Sequence, residues 1–159
     1  MRTAIGLAIL VIIVVYVAVA FATVDRGTDQ AQIAAVVARG VAATQNRDLS
    51  SLISCISPDY KDEAGLNFDR LRVLLAQSMR NETSYTVTIS NRITQISGEH
   101  ASVNLHVTLK RPAGEVFYDR DLTILFAKEY TSHMLVAPVK AWRVIGSKNL
   151  GLGMGDSAF

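Results

Sequence analysis

The sequence predicts an α+β domain of three helices packed on a curved antiparallel sheet, carried behind an apolar N-terminal segment. Three observations lead there. Ser84 to Lys110 consists of two runs that alternate with period two around a polar turn. Upstream, three segments repeat apolar residues at helical spacing. Before them, Ala4 to Ala22 contains no charged residue.

The chain has 159 residues, enough for one domain and an appendage. Extended to Val24, the uncharged stretch would be about 30 Å long as a helix, the thickness of a hydrocarbon core. Arg2 and the terminal amine precede it, and Asp25, Arg26 and Asp29 come after it. That balance predicts a single-pass anchor over 1–24 in the cytoplasmic (inner) membrane. The N-terminus is then inside and the domain is in the periplasm or extracellular space. Ala20-Phe21-Ala22 also has the small-x-small pattern of a signal-peptidase site, but the apolar run exceeds a usual signal core, which favours a retained anchor. Arg2 is the only charge before Asp25, which leaves 15 of the 16 Lys and Arg against all 14 Asp and Glu in the exported part. So even a balance predicts no nucleic-acid partner. Cys55 is the single cysteine and cannot form an internal disulfide.

After a juxtamembrane link at 25–28, Thr28 caps a helix from about Asp29 to Asn46, with Ile33, Val36, Val37 and Val41 as its apolar stripe. Asp48 opens a shorter helix that ends at Ser57-Pro58. Asp59 to Ala64 is polar and reads as an edge strand closed by Gly65. Asn67 caps a third helix bearing Phe68, Leu71, Leu74, Leu75 and Met79. In the hairpin, Tyr85, Val87, Ile89 and Ile93 share one parity, and so do Ala101, Val103, Leu105, Val107 and Leu109. These define a core face. The opposite parity (Thr86, Thr88, Ser90, Ser102, Asn104, His106, Thr108) is rich in hydroxyls. After the turn Arg111-Pro112-Ala113-Gly114, a strand from Val116 to Lys128 is apolar on both parities toward its end, as suits a strand covered on both faces. Tyr130 to Pro138 reads as a loop and Ala141 to Gly146 as a last strand carrying Trp142. The domain therefore spans 29–146, with a flexible Gly-rich tail over 147–159.

The run RDLSSLISCISPDYKD, Arg47 to Asp62, together with Trp142-Arg143-Val144, resembles nuclear transport factor 2-like domains. In that cone-shaped α+β superfamily, Asp48, Leu49, Asp59, Tyr60 and the Trp142 strand fill matching places. The resemblance implies a cone with a pocket between the helices and the concave sheet face. It implies no particular chemistry, since the superfamily includes ketosteroid isomerases, polyketide cyclases, dehydratases, binding modules and membrane-anchored assembly components of secretion systems. Loop 129–140 departs from the tight turn usual there.

An enzyme of this kind would need an inward carboxylate or imidazole as base. The weak catalytic candidates are Asp59, Tyr60, Asp62 and Tyr118. Pocket or binding candidates are Tyr60, Tyr85, Tyr118, Arg120 and Trp142. The inward strand positions are nearly all apolar, and Arg120 stays protonated, so it cannot act as a base. No phosphate loop, nucleophile elbow or metal-ligand spacing occurs, which predicts no cofactor and no metal. The sequence thus favours a non-enzymatic binding or assembly module with two contacts. One is the lipid bilayer, through Ala4 to Ala22. The other is a second protein or a second copy, through Thr86, Thr88, Asn104, His106 and Thr108 on the outer sheet face. The alternatives are an isomerase- or dehydratase-type enzyme and an apolar-ligand carrier using the cone pocket.

Overall fold

The structure is a computed structural model and describes residues 13–17, 27–81, 84–133 and 137–151. The expected span Ala4 to Ala22 lies outside the described residues except at 13–17, which are helical. Among the described residues no helix is long and apolar enough to cross a membrane.

Helix α1 (Asp29–Gln45) is capped by the Thr28 hydroxyl, which accepts from the Ala31 N–H at 3.3 Å. Asp48 caps the short α2 (Leu49–Ser54) in the same way through the Ser51 N–H at 3.0 Å. Asn67 accepts from the Arg70 N–H at 3.0 Å at the start of α3 (Phe68–Asn81). All three caps stand where the sequence places them. Four strands complete the chain order: β1 (Thr86–Ser97), β2 (His100–Lys110), β3 (Val116–His133) and β4 (Ala137–Lys148). They form one antiparallel sheet in the order β1-β2-β3-β4.

One core cluster joins Ile33 of α1 to Val103, Leu105, Leu122, Phe126 and Trp142 of the sheet. A second joins Ile56, Tyr60, Leu66 and Leu71 beneath α3. Val144 and Leu150 pack against both clusters and link them. The segment after α2 runs along the free edge of β4. The Ser57 N–H donates to the Val144 carbonyl at 2.9 Å, Val144 N–H to Cys55 at 3.0 Å, and Lys61 N–H to Ile145 at 3.0 Å. This covers an edge that would otherwise be open to pairing. It also requires glycine at 146, where a Cβ would stand 2.6 Å from the Lys61 carbonyl oxygen.

Four expectations need correction. Ile93 does not share the core face of Val87 and Ile89. Asn91, at φ 53°, and Arg92 form a bulge opposite Leu105, so the parity reverses between Ser90 and Ile93. Ile93 pairs with Asn104 and is 59% exposed. Thr94, opposite Val103, takes the inward place. Next, Tyr130 to Pro138 is not a long loop. β3 continues to His133 and β4 starts at Ala137, because backbone pairing persists beyond the region where a core imposes apolar alternation. Tyr130 there is 80% exposed. The connection itself, 134–136, lies outside the described residues. Third, Asp59 to Ala64 is a run of turns with one bridge, Lys61 to Asn67, and not an edge strand. Fourth, the ordered chain does not stop at Gly146. Ser147 and Lys148 belong to β4, and Ser147 is buried.

Replacing Leu105, buried at the hairpin centre, with Ala should destabilise the fold by about 2–5 kcal/mol. Ile93→Ser should change stability by less than about 0.5 kcal/mol, because the bulge turns that side chain to solvent. Urea unfolding of both variants tests the parity reversal: equal losses would place Ile93 back in the core.

Candidate functional site

The end of the sheet where a cone pocket would open is built from Tyr60, Tyr118, Arg120 and residues 147–151. Tyr60, a catalytic and pocket candidate, is 2% exposed and its hydroxyl lies 2.7 Å from Ser147 Oγ. The reason is the docking of the Cys55–Lys61 segment on β4, which carries Tyr60 beneath the strand end. Burial raises the Tyr60 phenol above its usual pKa, and the nearby Asp62 charge raises it further, against the Ser147 hydrogen bond. Tyr118 is half-buried and donates to the Leu150 carbonyl at 3.0 Å. Burial also raises its pKa, opposed by the Arg120 charge. Both phenols are therefore neutral donors at physiological pH.

Of the two carboxylates singled out nearby, that of Asp62 serves a turn. Asp59 is exposed, and its N–H donates to Ser57 Oγ at 3.0 Å. Asp62 Oδ1 accepts from the Leu66 N–H at 2.7 Å and braces the turn before α3. Arg120 was expected to point inward, yet it is exposed, with Gly151 laid against its guanidinium. Gly151 has φ 69°, a left-handed conformation that favours glycine, and it lies against the movable end of the Arg120 side chain. The Asn149 N–H donates to Glu63 Oε1 at 2.9 Å. Residues 149–151 thus cross this end of the domain, anchored to β3 on one side and to the turn before α3 on the other.

The structure does not gather the other pocket candidates. Tyr85 donates to the Thr44 carbonyl at 2.9 Å and meets the Phe117 ring edge-on at 6.0 Å, closing the C-terminal end of α1 onto the sheet. Trp142 lies at the opposite end, 2% exposed. Its Nε1 faces Asp29 Oδ1 at 3.4 Å, Lys128 Nζ stands 2.6 Å from the same oxygen, and the Lys128 ammonium sits 5.3 Å from the indole. Lys128 holds the Asp29 carboxyl below its usual pKa, so the pair is charged at neutral pH. Sequence reading missed this group, because Lys128 reaches the inner face beyond the apolar part of its strand. Cys55 is buried as expected, and burial raises its thiol pKa away from nucleophile chemistry. Among the described residues, the buried polar or charged ones are Ser57 and Ser147. No group of His, Cys, Asp and Glu among them could hold a metal ion.

Two features lie elsewhere. An open cleft of about 560 Å³ runs between α1 and β1, with Val37, Val41 and Ile89 on its floor and Gln45, Asn91 and Arg92 at its rim. The bulge residues Asn91 and Arg92 are part of its lining. On the outer sheet face, Thr86, Thr88 and Asn104 are exposed, while His106 and Thr108 are half-buried. Here Thr123 donates to Asn104 Oδ1 at 2.7 Å and Thr108 to Asp119 Oδ1 at 2.7 Å. His106 lies between Asp119 and Asp121, each 2.9 Å from one ring nitrogen. The sequence placed all five residues on this face, and it also placed the two aspartates outward. It did not reveal that they bracket the imidazole.

No protein-family model matches the chain, and no curated protein matches its sequence. Solved structures do. A nuclear transport factor 2-like protein with a cystatin-like fold from Novosphingobium aromaticivorans superposes with a TM-score of 0.60 at 15% identity, covering 75% of this chain and 79% of that one. A proposed dehydratase of the nuclear transport factor 2-like family from Streptomyces avermitilis gives 0.56 at 14% identity, covering 76% and 94%. A proposed calcium/calmodulin-dependent protein kinase type II association domain from Thiobacillus denitrificans gives 0.56 at 10% identity, covering 71% and 89%. At these identities the likeness is one of fold. The chain has the nuclear transport factor 2-like, cystatin-like α+β fold.

Proposed function

We propose that this chain is a non-enzymatic assembly module, held at the cytoplasmic membrane by its N-terminal segment and binding through its outer sheet face. The observation that carries the proposal is the end of the domain where a substrate would enter. The protein's own residues 149–151 lie across it, Tyr60 is hydrogen-bonded to Ser147, Asp59 is exposed and Asp62 braces a turn. Proton abstraction requires a carboxylate or imidazole within hydrogen-bond reach of a bound substrate. Among the described residues none is buried in the interior. The anchor rests on the uncharged run Ala4 to Ala22 and on its described part, where Ile13, Val14 and Val15 are each more than half exposed on a helix, as suits contact with lipid.

The outer face fits a second copy. Four strands about 4.8 Å apart, the shortest of 11 residues and so roughly 36 Å long at about 3.3 Å per residue, present a footprint of at least roughly 700 Å². A standard stable interface takes about 800 Å² from each partner. Hydroxyl and amide groups both donate and accept, so a two-fold copy can meet them with their own kind. A carrier of apolar ligands is the second reading, and the α1–β1 cleft, apolar below and bearing Arg92 at its rim, favours it.

Three outcomes are expected. Tyr60→Phe should cost about 1–3 kcal/mol in urea unfolding, because it strands the buried Ser147 hydroxyl. A change near zero would mean that water reaches this end. Protease added to intact spheroplasts carrying the full chain should remove the domain, whereas recovery of a soluble chain beginning at Thr23 would overturn the anchor. Asn104→Glu should shift the detergent-solubilised chain toward monomer in sedimentation without lowering its melting temperature. An unchanged mass would exclude the sheet face as the contact.

A further inference from the structure

His106 stands on the outer face opposite Ser90 of β1 and Asp121 of β3. Its Nδ1 is 2.9 Å from Asp121 Oδ1, and its Nε2 is 2.9 Å from Asp119 Oδ1. A neutral imidazole has one N–H and one lone pair. Set between two carboxylates, it would press that lone pair against a carboxylate oxygen. Only the imidazolium donates at both nitrogens, so the observed arrangement is that of the protonated ring.

The groups around the ring decide the outcome of proton loss. β3 contributes Asp119 and Asp121, β1 the uncharged Thr88 and Ser90 with Arg92 past the bulge, and β2 itself Lys110, whose charge acts on Asp119. The Asp119 carboxylate has a second donor, the Thr108 hydroxyl at 2.7 Å, whereas the Asp121 side chain is 86% exposed. When the ring is neutral, its one N–H stays with Asp119 and Asp121 swings into solvent. The net charge of the three groups passes from −1 to −2.

We infer that His106 is a protonation switch for docking of a second copy on this face. As a cation it ties both aspartates flat across β2 and β3. As a neutral ring it frees a carboxylate that the partner's equivalent face must repel or desolvate. This inference rests on reading the outer face as the contact between copies. The two hydrogen bonds to the aspartates hold the His106 pKa above its usual 6.5. The tie is therefore fully present below that ordinary value and is lost as pH rises through the elevated one.

The test uses the full chain in detergent micelles between about pH 5.5 and pH 8.5. The His106 ring protons are tracked by NMR, assigned with His106→Gln, and the mass is tracked by sedimentation. The ring is expected to titrate above the range of a free imidazole. The dimer dissociation constant should rise about tenfold or more across the same window, and this rise should vanish in His106→Gln. A ring that titrates at or below the usual value overturns the inference, as does an equal pH dependence in His106→Gln. Association that Asn104→Glu abolishes but pH leaves unchanged overturns the switch alone. Absence of association at every pH overturns both the switch and the docking face.

Discussion

The structure depends on the docking of the Cys55–Lys61 segment along β4. Three backbone hydrogen bonds join it to Val144 and Ile145. They protect the edge of the sheet and carry the second apolar cluster against the first. Val144 and Leu150 pack against both clusters, and Arg47 Nε adds a tie to α3 by donating to the Met79 carbonyl at 2.9 Å. The close approach tolerates no side chain at position 146. A single backbone interface, maintained by glycine, thus sets where Tyr60 lies and hence what the pocket end of the domain can become.

That end holds a set of packed side chains and backbone contacts. Tyr60 and Ser147 satisfy one another, Tyr118 is held by Leu150, and Arg120 lies under Gly151. A buried polar pair of this kind is favourable when complete and costly when one partner is lost. The solved structures that share the fold range from a proposed dehydratase to a proposed association domain. At 10–14% identity the likeness is one of fold, and a fold by itself carries no particular use.

The chemistry on offer has moved to the other side of the sheet. The outer face holds the His106, Asp119 and Asp121 cluster, and it holds side-chain hydrogen bonds between neighbouring strands at Thr108 and Thr123. On the inner face, the Asp29–Lys128 pair lies against Trp142 and fastens the start of α1 to the sheet.

Local rules determined much from sequence alone. Thr28, Asp48 and Asn67 mark helix starts because a side-chain oxygen at an N-cap satisfies a backbone donor close in sequence. Val103, Leu105 and Leu122 read correctly as core because period two is a property of the strand itself. The outward placement of Asp119, Asp121 and His106 comes from the same alternation. The bulge at Asn91 was not legible, because whether two residues oppose one depends on the partner strand, and Ile93 was misplaced with it. The length of the β3–β4 hairpin escaped for a related reason: backbone pairing runs on where no core imposes a pattern. The seal at the pocket end joins Tyr60 to Ser147, 87 positions apart, and the imidazole bridge joins β2 to β3. Tertiary structure alone decided both, since distances across a sheet are set by register and packing and leave no mark on neighbouring residues.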